Sequence, residues 1–307
     1  MSTSVVEPAG AERANVTRAT LLVLFSACCF GSIPILISLA TRSGATLIDV
    51  LAWRYALGAV VLVIASGGLA PVRRTGRRAL PLLVLAGGGQ AAIAFVSLSA
   101  LRYIPAATLT FLFYTYPAWV TLMAAMRGAE RLTAARAAAL ALSLAGIALM
   151  VGLPGSGGLH PLGALLALCS ALLYAIYIPM IGRLGEGLPP AVTSVFASGG
   201  AALVLIVAAL TQGGLALHFA PVAWLSIALM AVLSTALAFI AFLRGLAVIG
   251  PVRTAIVSTI EPFWTVLLAS LVLGQLLGAR VIGGGVLIAG AVILLQVSAR
   301  PAVSVSE

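Results

Sequence analysis

The chain has 307 residues, of which 62% are hydrophobic and 8% are charged, and its mean hydropathy is +1.21. A soluble domain carries about 25% charged residues, so this composition excludes a water-soluble protein and predicts an integral membrane protein. The apolar runs are continuous rather than alternating, which excludes a transmembrane β-barrel. The net charge of +10 does not indicate a nucleic-acid partner, because every basic residue is arginine and most stand singly between apolar runs.

Ten apolar segments are predicted to be transmembrane helices, because a crossing needs roughly 20 apolar residues and the gaps are rich in Gly, Pro and Arg. The polar stretch 1–17 is predicted to be a disordered tail. The first segment is too long for a cleaved signal sequence, so we expect it to be retained. The helices are expected at about 19–40, 47–66, 80–100, 104–126, 132–152, 161–182, 190–211, 221–243, 251–272 and 279–298.

The segments form an internal repeat. Four prolines lie well inside apolar segments, and a shift of 145 residues pairs Pro34 with Pro179 and Pro117 with Pro262. In both halves a tryptophan follows the second of these prolines by two residues. Each unit therefore holds five helices, and because five is odd the second unit enters the membrane from the opposite side. Such an inverted-topology repeat is typical of secondary transporters, whose halves rock around a shared midplane site.

The predicted fold class is therefore all-α integral membrane, with ten transmembrane helices arranged as two inverted five-helix repeats around a central cavity. The expected boundaries are 1–17 for a cytoplasmic tail, 18–153 and 160–299 for the two units, and 300–307 for a second cytoplasmic tail.

Arginine counting predicts the orientation, because cytoplasmic segments carry an excess of basic residues. With both termini inside, the outer segments hold only Arg42, Arg102 and Arg280. The cytoplasmic segments then hold twelve: Arg13, Arg18, Arg73, Arg74, Arg77, Arg78, Arg127, Arg131, Arg136, Arg183, Arg244 and Arg300.

The interior prolines Pro34, Pro117, Pro179 and Pro262 are candidate hinges. Proline removes a helix hydrogen bond, and in a membrane the freed carbonyl needs another partner or a wet cavity. One interpretation is a flexible point beside a substrate. The other is packing geometry alone.

Glu261 is the acid nearest to a predicted membrane centre. An ionised acid at that depth costs roughly 2.5–3.5 kcal/mol on insertion scales, so it must face protein or water, or be protonated. It is predicted to bind a substrate amine or to carry a coupling proton. The alternative is a buried hydrogen-bonding group that holds two helices together.

Aromatic and polar side chains near the prolines are candidate substrate contacts. Tyr114 and Trp119 flank Pro117, and Tyr174 and Tyr177 precede Pro179. Their rings could stack on a substrate, with hydroxyl or indole groups as donors; the alternative is tight packing between helices.

Two further polar positions are candidate cavity residues. Gln90 and Thr235 are again 145 residues apart, which suggests a wet lumen, although a threonine often bonds to its own helix backbone.

Arg54 lies about a third of the way along the second segment. It is a candidate partner for a substrate carboxylate, or for Asp49 about one turn earlier. The alternative is a side chain that extends to the outer interface.

Neither a metal site nor a cofactor is predicted. The three cysteines lie in apolar segments, which argues against a disulfide framework or a zinc site. The two histidines stand apart near helix ends, and no nucleotide-binding motif is present, which excludes a self-contained ATP-driven pump.

In these features the chain resembles the drug/metabolite transporter superfamily, in the ten-helix branch built of two EamA-type repeats, over residues 19–298. One departure is Gln275, where family members usually carry glutamate. The matching motifs are Phe30-Gly-Ser32 with Pro34, Pro117 with Gly128-Ala-Glu-Arg-Leu-Thr133, Glu261-Pro262 with Leu273-Gly-Gln-Leu276, and the glycines Gly146 and Gly290.

The resemblance implies export of amino acids, other small metabolites or drugs, and the aromatic content is similar to that of aromatic amino acid exporters. It also implies a cavity lined by the first, third and fourth helices of each unit, and dimers through the peripheral fifth and tenth helices. The expected partners are a small-molecule substrate, the lipid bilayer, a coupling proton and a second copy of the chain. The expected location is a bacterial inner membrane. A membrane-embedded enzyme and a structural or signalling membrane protein remain the alternatives from other classes.

Overall fold

The computed structural model describes residues 9–100, 102–104, 106–128, 133–151, 160–273 and 279–297, and every regular element in these ranges is helical. The α-helices are α1 (Ala9–Gly31), α2 (Ile33–Arg42), α3 (Leu47–Ala65), α4 (Leu69–Arg73), α5 (Ala79–Pro81), α6 (Gly88–Ala100), α7 (Ala106–Phe113), α8 (Tyr116–Met126), α9 (Ala134–Val151), α10 (Pro161–Leu184), α11 (Pro190–Thr211), α12 (Pro221–Leu229), α13 (Ala238–Val257), α14 (Glu261–Leu273) and α15 (Ala279–Val297). Two π-helical segments, Leu82–Gly87 and Met230–Leu237, and two 3₁₀ segments, Gly76–Arg78 and Ser258–Ile260, lie between them.

Helix bounds agree with the sequence expectation where proline marks a start. α11 runs from Pro190 to Thr211, as predicted, because proline at the first helical position loses no hydrogen bond. The N-terminal helix differs: α1 begins at Ala9, inside the stretch expected to be a disordered tail. Ala, Glu and Arg in this stretch are good helix formers, so the apolar helix continues backwards through it.

Three of the interior prolines mark places where one helix ends and another begins. Pro34 is the second residue of α2, Pro117 the second of α8, and Pro262 the second of α14. The interruption therefore comes just before each proline, where the missing N–H has no partner to lose.

Pro179 behaves differently from the other three. α10 continues through it without a break. The neighbouring Ala175, Ile178 and Ile181 are buried on either side, so packing holds the helix together where one backbone hydrogen bond is lost. The predicted hinge therefore has no interruption at this position.

Six helical stretches of the described chain are long and apolar enough to cross a membrane. They are Ala14–Arg42, Leu47–Ala65, Gly76–Ser97, Pro161–Leu184, Pro190–Thr211 and Pro221–Val272, with Ala134–Leu149 and Ile282–Leu294 as shorter apolar helices. The 52-residue stretch Pro221–Val272 would be about 78 Å long as one straight helix. Gly250, at φ 75° and ψ 170°, interrupts it, because glycine reaches this backbone region without steric cost.

The outward faces of the helices are apolar. Ile64 and Phe95 are 73% and 72% exposed, and many other large apolar side chains are also exposed. A soluble protein rarely presents such a surface. Lipid tails would cover it, which agrees with a multi-pass membrane protein.

The helices pair between the two units in related sets. α1 packs on α13, and α10 packs on α6. α3 packs on the second π segment, and α11 packs on the first. Each contact of a helix of the first unit with the second unit thus has a counterpart, in which the matching helix of the second unit packs on the first unit. α3 also packs on α11, and α9 on α15.

Some predicted positions lie outside the described residues. They are Glu130, Gln275, most of the loop motif around each of them, the linker 154–159, residues 1–8 of the N-terminal tail and the tail 300–307.

Candidate functional site

Five aromatic rings from both units meet at the junction of α7, α8 and α10. We call Phe113, Tyr114, Tyr116, Tyr174 and Tyr177 the ring cluster. The rings of Phe113 and Tyr174 stack with centroids 5.4 Å apart, and Tyr116 meets Tyr174 edge-on at 4.7 Å. Tyr114 packs against Tyr116 at 5.8 Å, and Tyr177 stacks on Tyr174 at 6.3 Å. Three predicted site residues, Tyr114, Tyr174 and Tyr177, thus lie together.

Glu261 lies beside the ring cluster. It is the first residue of α14, directly after the 3₁₀ segment Ser258–Ile260. The Tyr114 hydroxyl lies near its carboxylate, and Arg54 is close enough for electrostatic attraction. An acidic residue of the second unit therefore lies beside the rings and within electrostatic range of a basic residue of the first unit.

The position of Glu261 depends on a close approach between α1 and α14. A side-chain carbon on Gly31 would lie 2.8 Å from the Glu261 carbonyl oxygen, so only glycine fits. Thr265 Oγ1 donates to the Gly31 carbonyl at 2.8 Å, and Trp264 Nε1 donates to Ser32 Oγ at 3.4 Å. The Phe30-Gly-Ser motif thus holds the start of the helix that carries the acid.

Arg54 is buried, with 4% of its surface exposed. Its Nε donates to Thr235 Oγ1 at 3.0 Å, and its guanidinium carbon lies 4.8 Å from the centre of the Tyr55 ring. The side chain therefore points into the protein and does not extend to the interface. Asp49 is not its partner: Asp49 Oδ1 accepts from the Ala216 N–H at 3.1 Å, and its other oxygen accepts from the Thr46 hydroxyl.

Gln90 and Thr235 each hydrogen-bond to one of two adjacent residues of α3, Tyr55 and Arg54 respectively. Gln90 Nε2 donates to the Tyr55 hydroxyl at 2.9 Å. Ser198 Oγ donates to the Tyr55 carbonyl at 2.9 Å. Tyr55 thus joins three helices, a role that the sequence analysis missed. The available signal was its position directly after Arg54 in an apolar segment.

Two candidate residues carry a buried donor without a hydrogen-bond partner among the described residues. They are Trp119, through Nε1, and Tyr177, through its hydroxyl. Trp119 packs against the same apolar core as the ring cluster. Buried polar groups are nearly always paired, so these two donors are candidates for binding a ligand.

A cavity of about 680 Å³ lies on one side of the ring cluster, towards the arginine-rich helix ends. It reaches inward to Val120 and Pro179, which lie within about one turn of Tyr116 and Tyr177 on their helices. Its volume is within the range of small-molecule sites. Among the described residues, no group of three or more His, Cys, Asp or Glu side chains could hold a metal ion.

Comparison with protein families decides the affiliation of the chain. The model of the EamA-like transporter family matches twice, at residues 17–152 and 161–297. The chain belongs to the EamA-like transporter family. The two matches leave out only residues 1–16, 153–160 and 298–307.

Comparison with solved structures supports the fold of this EamA-like chain. One crystal structure, described only as that of a protein, matches with a TM-score of 0.80 and 21% identity, over 92% of this chain and 98% of that chain. At this identity the match shows a shared fold alone. No curated protein matches the sequence.

Proposed function

We propose that this EamA-like chain is a secondary transporter that exports amino acids or closely related metabolites across a bacterial inner membrane. The observation that carries the proposal is the pairing of Glu261 and Arg54. They come from different units and lie within electrostatic range of each other, and Glu261 borders the ring cluster.

An amino acid matches this arrangement in charge. The Glu261 carboxylate would receive the substrate ammonium group, and the Arg54 guanidinium would receive the carboxylate. Rings of the cluster would pack on an apolar or aromatic side chain. Trp119 Nε1 and the Tyr177 hydroxyl, which have no partner among the described residues, would supply further donors.

The proposed mechanism is alternating access between two inverted five-helix units. The interruptions before Pro34, Pro117 and Pro262 place breaks in the regular α-helix near the site, and they would act as hinges. Because the site draws on both units, rocking one unit against the other exposes it first to one side and then to the other. Both termini would be cytoplasmic. Glu261 would carry a coupling proton between substrate cycles. The outer faces of α9 and α15 would form a dimer surface.

A second candidate is export of drugs or nucleoside-like compounds by the same fold. The observation that favours it is the stacked pair Phe113 and Tyr174, because such rings accept any flat aromatic compound. Export of such compounds needs only one of the two charged residues, Glu261 or Arg54. A membrane protein that does not transport needs neither of them.

Counterflow into proteoliposomes separates these candidates. The matched probes are L-phenylalanine, its decarboxylated amine phenethylamine and its deaminated acid 3-phenylpropionate. The proposal expects L-phenylalanine to be exchanged and both analogues to fail as competitors, since each lacks one charge. Competition by phenethylamine alone would indicate a drug exporter. Absence of exchange for a panel of all twenty amino acids would contradict the proposal.

A further inference from the structure

The arginine-rich end of the cavity has the properties of a second binding site. Its lining includes Arg127, which follows α8, Arg183 in the last turn of α10, and Arg244 in α13. Glu186 also lines it and offsets part of the charge. Three cations and one anion around a space of about 680 Å³ give this space a positive potential.

Two helices begin at the same cavity. α11 starts at Pro190, and the helical part of α13 that follows Gly250 starts at Pro251; both prolines line the space. A helix N-terminus carries a partial positive charge, which attracts anions. The two starts therefore reinforce the charge of the arginines.

Thr193 supplies an independent indication of a ligand. It lies in the first turn of α11, lines the cavity and is only 1% exposed. Its Oγ1 is buried and has no hydrogen-bond partner among the described residues. A hydroxyl can donate to a carboxylate or phosphate oxygen, and hydrogen bonds to such ionised acceptors are strong.

The rim of the cavity is held in place from the other unit. Arg78 donates from Nη2 to the carbonyl oxygens of Leu184 and Glu186, both at 2.9 Å. These bonds fix the turn that carries Arg183 and Glu186. The site is thus a built feature of the fold, since both units contribute to it.

We propose that this cavity is a loading site that binds the carboxylate of a small organic anion or zwitterion before it reaches Glu261 and Arg54. The inference rests on the proposed transport function for its role. The binding of an anion stands separately, because none of the central charged residues lines this cavity. A phosphate headgroup of an anionic lipid shares the same chemistry, and the experiment must distinguish it.

The experiment measures the rate at which a cysteine in the cavity reacts. Ala247 is small, exposed and part of the lining, and it follows Arg244 by three residues. Ala247→Cys is made in a chain whose Cys28, Cys29 and Cys169 are replaced by alanine. The protein is placed in nanodiscs of phosphatidylcholine alone. Rates are measured with an anionic, a cationic and a neutral thiol reagent, each normalised to a free thiol.

The loading site predicts that the anionic reagent is favoured over the cationic one. Replacing Arg127, Arg183 and Arg244 together by glutamine should lower this preference roughly tenfold. The lysine triple variant should keep the preference, which separates loss of charge from misfolding. Arg73→Gln with Arg74→Gln is the control, because these exposed arginines do not line the cavity. An unchanged preference in the glutamine variant would overturn the proposal.

Protection by succinate at constant ionic strength tests binding itself. Succinate should slow the neutral reagent, and Thr193→Val should weaken that protection. If succinate gives no protection, or if only phosphatidylglycerol nanodiscs slow the reaction, the soluble-anion site is refuted; the second result would identify a lipid headgroup as the occupant. Arginine-dependent protection in a protein that exchanges no amino acid would instead preserve this site and refute the proposed function.

Discussion

Arg54 Nε and Thr235 Oγ1 form a 3.0 Å hydrogen bond that joins α3 of the first unit to the second π segment. Both side chains are buried, and the Tyr55 ring lies against the same guanidinium. A charged donor deep in the protein is held by a neutral hydroxyl and a ring face. The Glu261 carboxylate of the second unit lies within electrostatic range of this charge.

The first prediction concerns this bond. Thr235→Val keeps the shape of the side chain and removes the acceptor, so a buried charged donor loses its partner. We expect the free energy of unfolding to fall by about 1.5–3 kcal/mol. Thermal unfolding in detergent measures it. Thr235→Ser keeps the acceptor and should stay near the parent; equal losses in both variants would contradict the assigned role of the bond.

The second prediction separates binding from folding. The Tyr177 hydroxyl has no partner among the described residues, whereas the Tyr55 hydroxyl accepts from Gln90. Tyr177→Phe should therefore leave stability unchanged and weaken substrate affinity, measured as the half-saturating concentration in counterflow. Tyr55→Phe, the matched control, should cost about 1 kcal/mol of stability. If Tyr177→Phe lowers stability and spares affinity, its hydroxyl is a packing group.

The third prediction uses two adjacent glycines. A side-chain carbon on Gly87 would overlap the backbone of Gly200, whereas one on Gly88 would meet nothing within 4 Å. Gly87→Ala should push α11 away from the first π segment and destabilise the protein by about 1–3 kcal/mol. Gly88→Ala should be neutral or slightly stabilising, because alanine favours the helix. Similar unfolding temperatures for the two variants would contradict the described contact between the units.

The fourth prediction concerns Glu261. Glu261→Gln keeps the size of the side chain and removes its charge, so it should abolish or strongly weaken amino acid counterflow. Measuring flux across a pH series distinguishes an acid that takes part in transport from an acid that only holds helices together. A purely structural acid would leave both flux and its pH dependence unchanged. Glu261→Asp, which keeps the charge, serves as the control and should retain part of the flux.

Much of the fold was predictable because proline and glycine act locally. Pro190 starts α11 where the sequence placed it, and the repeated prolines located three helix interruptions. The continuous helix at Pro179 was not predictable, since it depends on neighbours from other helices. The number of membrane-spanning helices, ten, stays a prediction. Gly250 does divide the longest apolar stretch, at a position where the sequence predicted a loop.

The residues of the candidate site were predictable from the sequence, but the contacts between them were not. Glu261, Tyr114 and Tyr174 were selected as polar or aromatic groups in apolar segments, and the structure places them together. The contact between Arg54 and Thr235 joins residues far apart in sequence, and no local pattern encodes it. The arginine-lined cavity was missed for the same reason, because it forms only when several helix ends meet.

The two π-helical segments break the symmetry between the halves. Shifting Leu82–Gly87 by 145 residues gives 227–232, which only partly overlaps Met230–Leu237. A π turn holds an extra residue, so each segment is a dislocation within its helix. If the halves trade shapes during transport, each dislocation must migrate by about a turn, in opposite senses. Passage of the substrate would then require the π turn of each unit to shift along its helix, in addition to rigid-body rotation of the units.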